Sequence, residues 1–106
     1  LCAFSGSGRN IAVIGDMLEL GSASKKQHEK LGKKCNSSNL DAIFTLGVET
    51  LSTKNTIKNK KTNDHFENHN HLISTLKSFL ISDDKVLFKG SRGMQMEKII
   101  SGVFEN

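Results

Sequence analysis

Among its 106 residues the chain has no tryptophan, no tyrosine and no proline, and only two cysteines, Cys2 and Cys35. Two cysteines exclude a disulfide scaffold, and their separation matches no metal or redox motif, so both read as reduced thiols of a cytosolic protein. The missing proline, alongside abundant Asn and Lys, reads as base bias of a genome and not as function. With aromatics at 6%, all of them phenylalanine, packing must rest on Ile, Leu, Val and six Phe. No apolar run approaches a membrane span, and no charged-then-apolar leader opens the chain. Nothing matches the Gly-x4-Gly-Lys-Ser/Thr phosphate loop, so the chain has no visible means of binding and hydrolysing ATP alone. Gly6-Ser7-Gly8 lacks a third glycine and precedes a strand, which makes it a turn. The first residue is Leu1, and Leu1-Cys2-Ala3-Phe4 reads as the tail of an interrupted helix, so the chain is expected to be a piece of something larger.

What remains is enough for one domain with a modest core. The net charge of +4 raises nucleic-acid binding. Its two lysine runs, Lys25 to Lys34 and Lys54 to Lys61, carry no interleaved aromatics and read as solvated surface, so no nucleic-acid partner is expected. Four strand candidates recur: Ile11–Ile14, Ala42–Leu46, a short one at His65-Phe66, and Lys85–Lys89. The first is an uninterrupted apolar run ended by Gly15-Asp16, the pattern of a strand buried on both faces. Helical segments separate them. Ser24-Lys-Lys-Gln27 fits a capping box, and His28, Leu31 and Cys35 share one narrow face. A short helix is expected from Val48 to about Asn55, and a loop from Asn55 to Asn63. Leu72, Ile73, Leu76, Phe79 and Leu80 form an apolar stripe behind an N-cap at Asn68. A last helix is expected from Ser91 to about Glu105, with Met96, Ile99, Ile100 and Val103 on one side. Strand and helix alternate throughout, which argues for an α/β domain with a parallel sheet and helices on both faces.

Chemistry concentrates at two strand ends. In open α/β sheets ligands bind beyond the carboxyl ends of the strands, where Asp16 and Glu19 stand after the first. These carboxylates suit a general base, a metal ligand or a contact to an amine, or simply a turn cap and a helix start. The last strand ends in Lys89-Gly90-Ser91-Arg92-Gly93. Lys89, Ser91 and Arg92 at a glycine-bearing helix start suit a phosphate or carboxylate, or else a plain N-cap with two solvated cations. His65, His69 and His71 lack a completing ligand and read as solvated, and His28 reads as a packed, hydrogen-bonded core histidine. No residue is nominated as catalytic or as a metal ligand.

Together, Gly15-Asp-Met-Leu-Glu-Leu-Gly21 and Lys89-Gly-Ser-Arg-Gly-Met-Gln-Met-Glu97 resemble the C-terminal domain of the Mur ligases. They are most similar to the members that add D-alanyl-D-alanine to a UDP-N-acetylmuramoyl-tripeptide. The Ser24…His28…Gly32 spacing and His65-Phe66 add to the likeness, which spans nearly the whole chain; the basic Lys54–Asn63 stretch departs from it. The resemblance implies a Rossmann-like sheet of about four strands in the order 3-2-1-4, and residues 1–106 as one domain of a three-domain, cytoplasmic peptidoglycan-building enzyme. ATP would phosphorylate the tripeptide carboxylate with Mg2+ required, and the dipeptide amine would attack the acyl phosphate. Nucleotide and magnesium would be held mainly by a central domain. Carried over by motif, Asp16 and Glu19 on one loop and Lys89, Ser91 and Arg92 on the other would contact the incoming dipeptide, an acidic loop for its amine and a cationic one for its carboxylate. A phosphoreceiver-like domain is the rival α/β reading, but it needs an Asp ending a central strand, where Leu46-Gly47 stands.

Overall fold

The computed structural model describes residues 8–58 and 62–105. Its elements run β1 (Asn10–Gly15), a 3-10 turn (Gly21–Ala23), α1 (Ser24–Asn36), β2 (Ala42–Leu46), α2 (Leu51–Thr56), β3 (Thr62–Phe66), α3 (His69–Phe79), β4 (Lys85–Lys89), a second 3-10 turn (Arg92–Met94) and α4 (Met96–Phe104). All pairings are parallel, in the order β3-β2-β1-β4. The expected α/β architecture and strand order are therefore present.

Every residue of β1 and β2 is buried, because both strands are central and both of their faces are covered. Ile11, Val13, Phe44 and Leu46 point to one side, where Leu72 and Leu76 of α3 and Met96 and Ile99 of α4 pack on them. Ala12, Ile14 and Ile43 point to the other, against Leu31 and Cys35 of α1 and Ile57. Three layers result, with helices on both faces as expected. At the amino end of the sheet Arg9 grips Asp84 through two hydrogen bonds of 2.9 and 2.6 Å and lies over the Phe79 ring. That pair holds the Asp84 carboxyl below the usual range, the Arg9 hydrogen bond being the main cause.

Four local expectations are corrected. Ser24 is not the cap of a capping box. The 3-10 turn runs straight into α1, so Ser24 is already helical and its amide bonds to the Gly21 carbonyl, leaving its hydroxyl for other partners. The helix after β4 starts at Met96, not Ser91, because Gln95 takes a left-handed conformation (φ 52°) between the second 3-10 turn and α4. β3 is longer than His65-Phe66; its additional residues, Thr62-Asn63-Asp64, are polar because an edge strand is half exposed, and the apolar pattern misses them. α2 begins at Leu51, three residues after Val48, since Gly47–Thr50 is occupied by a turn. The Asn68 cap is present, its side chain accepting from the His71 amide at 3.0 Å. The readings of Leu1–Phe4, of Cys2 and of residues 6–7 lie outside the described residues, as does the part of the Asn55–Asn63 loop at residues 59–61.

Candidate functional site at the switch point of the sheet

The order β3-β2-β1-β4 makes the chain step outward from β1 to β2 to β3 and then return to the other side of β1. The connections leaving β1 and β4 therefore diverge, α1 to one face and α4 to the other. A crevice at such a reversal, beyond the carboxyl ends of the strands, is where open α/β sheets bind ligands. Both nominated loops stand there, side by side.

They are joined by hydrogen bonds. The Ser91 amide donates to the Asp16 carbonyl at 3.0 Å, and the Leu18 amide donates to the Ser91 hydroxyl at 2.7 Å. Gly15 and Gly90 make this approach possible: a Cβ on Gly15 would lie 2.7 Å from the Met96 sulfur, and one on Gly90 would lie 3.1 Å from Met96 Cγ and 3.2 Å from Gly15 Cα. Met96 thus packs into the notch left by two missing side chains, which brings the start of α4 onto the ends of β1 and β4.

The five nominated residues take distinct places. Asp16 is 5% exposed, and its carboxylate accepts from the Thr50 amide at 2.8 Å and the Glu49 amide at 3.1 Å. It ties the β1 loop to the turn after β2, so its hydrogen-bonding capacity is directed inward. Glu19 is exposed in a left-handed conformation (φ 66°). It lines a depression of about 300 Å³ together with Asp16, Ser24 and Glu49. Ser91 is the pin between the loops. Arg92 is exposed on the 3-10 turn. Lys89 is exposed at the end of β4 and lines a separate, smaller depression of about 150 Å³ on the α1 side, beside Lys30 and Lys34. The loops meet, but the acidic and basic side chains line different hollows.

Three participants were not nominated. Glu49 lines the acidic depression and accepts from the Ser24 hydroxyl; its position depends on the turn after β2, for which no spacing in the sequence gives a signal. Lys30 and Lys34 sit one helical turn apart on α1, a spacing that was legible, yet only the fold puts them beside Lys89. The three other histidines go to separate partners: His65 contacts the Thr45 hydroxyl at 2.7 Å, His69 Nε2 donates to the Met94 carbonyl at 2.7 Å, and the His71 ring stands edge-on to Phe66. Burial pushes the His65 imidazole below the usual histidine range.

Comparison with known proteins bears on this arrangement. The family model described as Mur ligase, glutamate ligase domain, matches residues 1–92. The UDP-N-acetylmuramoyl-tripeptide–D-alanyl-D-alanine ligase of Bacillus subtilis is 30% identical across 98% of this chain and 23% of its own length. The enzyme of the same name from Escherichia coli is 32% identical across 93% of this chain and 22% of its own length. Among solved structures, the MurF ligase of Thermotoga maritima in complex with ADP superposes with a TM-score of 0.74 at 31% identity, over 92% of this chain and 22% of that one. A MurF structure from Acinetobacter baumannii, at 24% identity and a TM-score of 0.77, shares the fold. The chain spans between a fifth and a quarter of the length of these relatives.

Proposed function

The chain belongs to the Mur ligase family, as its glutamate ligase domain, and from that premise we propose that it forms the acceptor-substrate wall of an ATP-dependent ligase joining D-alanyl-D-alanine to UDP-N-acetylmuramoyl-tripeptide. The relatives that carry this name match 98% and 93% of the chain but extend well beyond it. The proposed parent enzyme is cytoplasmic, works in peptidoglycan synthesis and holds this chain as the C-terminal of three domains. No helix among the described residues is long and apolar enough to cross a membrane.

One observation carries the reading. The β1 and β4 loops are pinned to each other at the switch point, through Ser91 to the Asp16 carbonyl and the Leu18 amide. A zwitterionic dipeptide needs opposite charges at its two ends. Glu19 and Glu49 line the acidic depression, Lys89 lines a separate one, and Arg92 is exposed on the 3-10 turn that follows Ser91. The proposed role is to place the dipeptide amine against an acyl phosphate of the tripeptide, the product of carboxylate phosphorylation by ATP. Holding the nucleophile in line supplies several kcal/mol of the barrier. Closing the domain over the cleft also keeps water from a hydrolysable intermediate.

The described residues do not fit ATP or Mg2+. The sequence has no phosphate loop, and among the described residues no three of His, Cys, Asp and Glu are grouped to hold a metal. We assign ATP and Mg2+ mainly to the rest of the ligase. The test is steady-state kinetics of the full-length enzyme carrying Lys89→Ala or Glu19→Gln. Both side chains are exposed, so the fold should persist. The expected result is a KM for D-alanyl-D-alanine raised at least several-fold, or a lowered kcat, with the KM for ATP unchanged. Wild-type dipeptide kinetics in both variants would overturn the assignment.

A further inference from the structure

We infer that His28, which no loop motif contains, is the positioning residue of the two-loop clamp; its effect on the acceptor rests on the function proposed above. His28 lies on α1, fully buried, behind the β1 loop. Its Nε2 accepts from the Met17 amide at 3.0 Å. An amide N–H only donates, so Nε2 carries no proton and the ring proton sits on Nδ1. There Nδ1 donates to the Ser24 carbonyl at 2.7 Å. Both ring nitrogens are thereby committed, and the tautomer is fixed by its partners.

This places His28 where the clamp is anchored to α1 by a hydrogen bond, as the Met96 packing anchors it to α4. Three successive residues of the β1 loop are each held from a different direction. Asp16 is tied to the β2 turn through its carboxylate, Met17 to α1 through His28, and Leu18 to the β4 loop through Ser91. The first and third of these bonds tie loop to loop. The Met17–His28 bond ties the loop to the body of packed helix α1, and a half-buried amide that loses its acceptor bears part of its desolvation cost. Ser24 extends the anchor. Its hydroxyl lies 3.2 Å from His28 Nδ1 and donates to Glu49, so the carboxylate lining the acidic depression is held from the same turn of α1.

Two amide-bearing variants separate this role from mere packing. In His28→Gln the side-chain oxygen reaches the place of Nε2 and can accept from Met17. In His28→Asn the side chain is one carbon shorter and cannot. Amide hydrogen exchange on the 106-residue chain should show Met17 and Leu18 exchanging at least tenfold faster in His28→Asn, and near wild-type rates in His28→Gln. In the full-length ligase, His28→Asn should raise the KM for D-alanyl-D-alanine several-fold with the KM for ATP unchanged, and His28→Gln should restore it. Equal loop exchange in the two variants would overturn the anchoring role. Loop exchange as expected with an unaltered dipeptide KM would instead overturn the placement of the acceptor at this clamp, leaving the anchor in place.

Discussion

At the scale of single residues, the close contact of Gly47 with Asp16 shows how tightly the site is built. Gly47 has φ +113°, and a Cβ there would strike the Asp16 carboxylate. Gly47→Ala should therefore cost about 3 kcal/mol, combining strain at a positive φ with displacement of a buried carboxylate. Chemical denaturation should show the loss as a lower midpoint. Asp16→Ala removes the acceptor of two amides at once and should cost a similar amount, about 1–3 kcal/mol for each amide left unpaired. For that reason Asp16 is a poor probe of substrate binding, whereas Lys89 is a good one. A second residue-scale consequence concerns pH. His65 is held below the ordinary histidine value by burial, so at mildly acidic pH the unfolded chain binds more protons at this site than the folded one. The neutral imidazole's contribution is complete above about pH 6.5 and is lost as pH falls from there through the depressed folded value. Thermal melts from pH 7.5 to 5.5 should show wild type losing more stability than His65→Gln. Parallel curves would exclude His65 as a source of acid sensitivity.

The elements were legible in the sequence to the extent that burial left a mark on it. β1 and β2 are covered on both faces, and their unbroken apolar runs show it. α3 has one covered face, and its stripe of Leu72 and Leu76 with the Asn68 cap appears as expected. β3 is an edge strand whose polar residues leave no such pattern, and only its last two residues were recognised. The start of α4 failed for another reason. Ser91 followed by Arg92 and Gly93 has the composition of a helix start, but its hydroxyl is taken by Leu18 from 73 positions away, and no local pattern encodes a partner at that separation. The site followed the same rule. Its loops were found because their residue types are distinctive, while Glu49, Lys30 and Lys34 join it through tertiary contacts alone. The break at Gln95 gives an element-scale prediction. A non-glycine residue in the left-handed region costs about 1 kcal/mol, and Gln95 is exposed with no side-chain cap bond. Gln95→Gly should raise stability by roughly 0.5–1 kcal/mol, measured by urea unfolding. A destabilised variant would mean that the glutamine side chain itself holds the start of α4.

At the scale of the whole molecule, the proposed function separates holding from reacting. Every strand delivers its carboxyl end to one edge, and the reversal of order between β1 and β4 opens a crevice there. The groups gathered at that crevice are carboxylates, ammonium groups, a guanidinium and a hydroxyl engaged in structural bonds. Such a set carries the opposite charges that the proposed dipeptide contact needs; the sequence has no phosphate-binding loop, and no metal-holding group stands among the described residues. In the proposed function, such a wall acts against an opposing one that supplies the activated carboxylate. The 106-residue chain alone should then release no phosphate from ATP in the presence of Mg2+ above the buffer rate. It should also show no stabilisation by the nucleotide. A ligand present at one hundred times its dissociation constant stabilises the folded state by about 2.7 kcal/mol, so even a site of about 0.1 mM affinity would be plain in a melt at 10 mM ATP. An unshifted melting temperature is the expected result. Magnesium-dependent turnover, or a rise of several degrees with ATP, would show that the nucleotide is held by this wall of the cleft, and would move ATP from the rest of the ligase onto the residues described here.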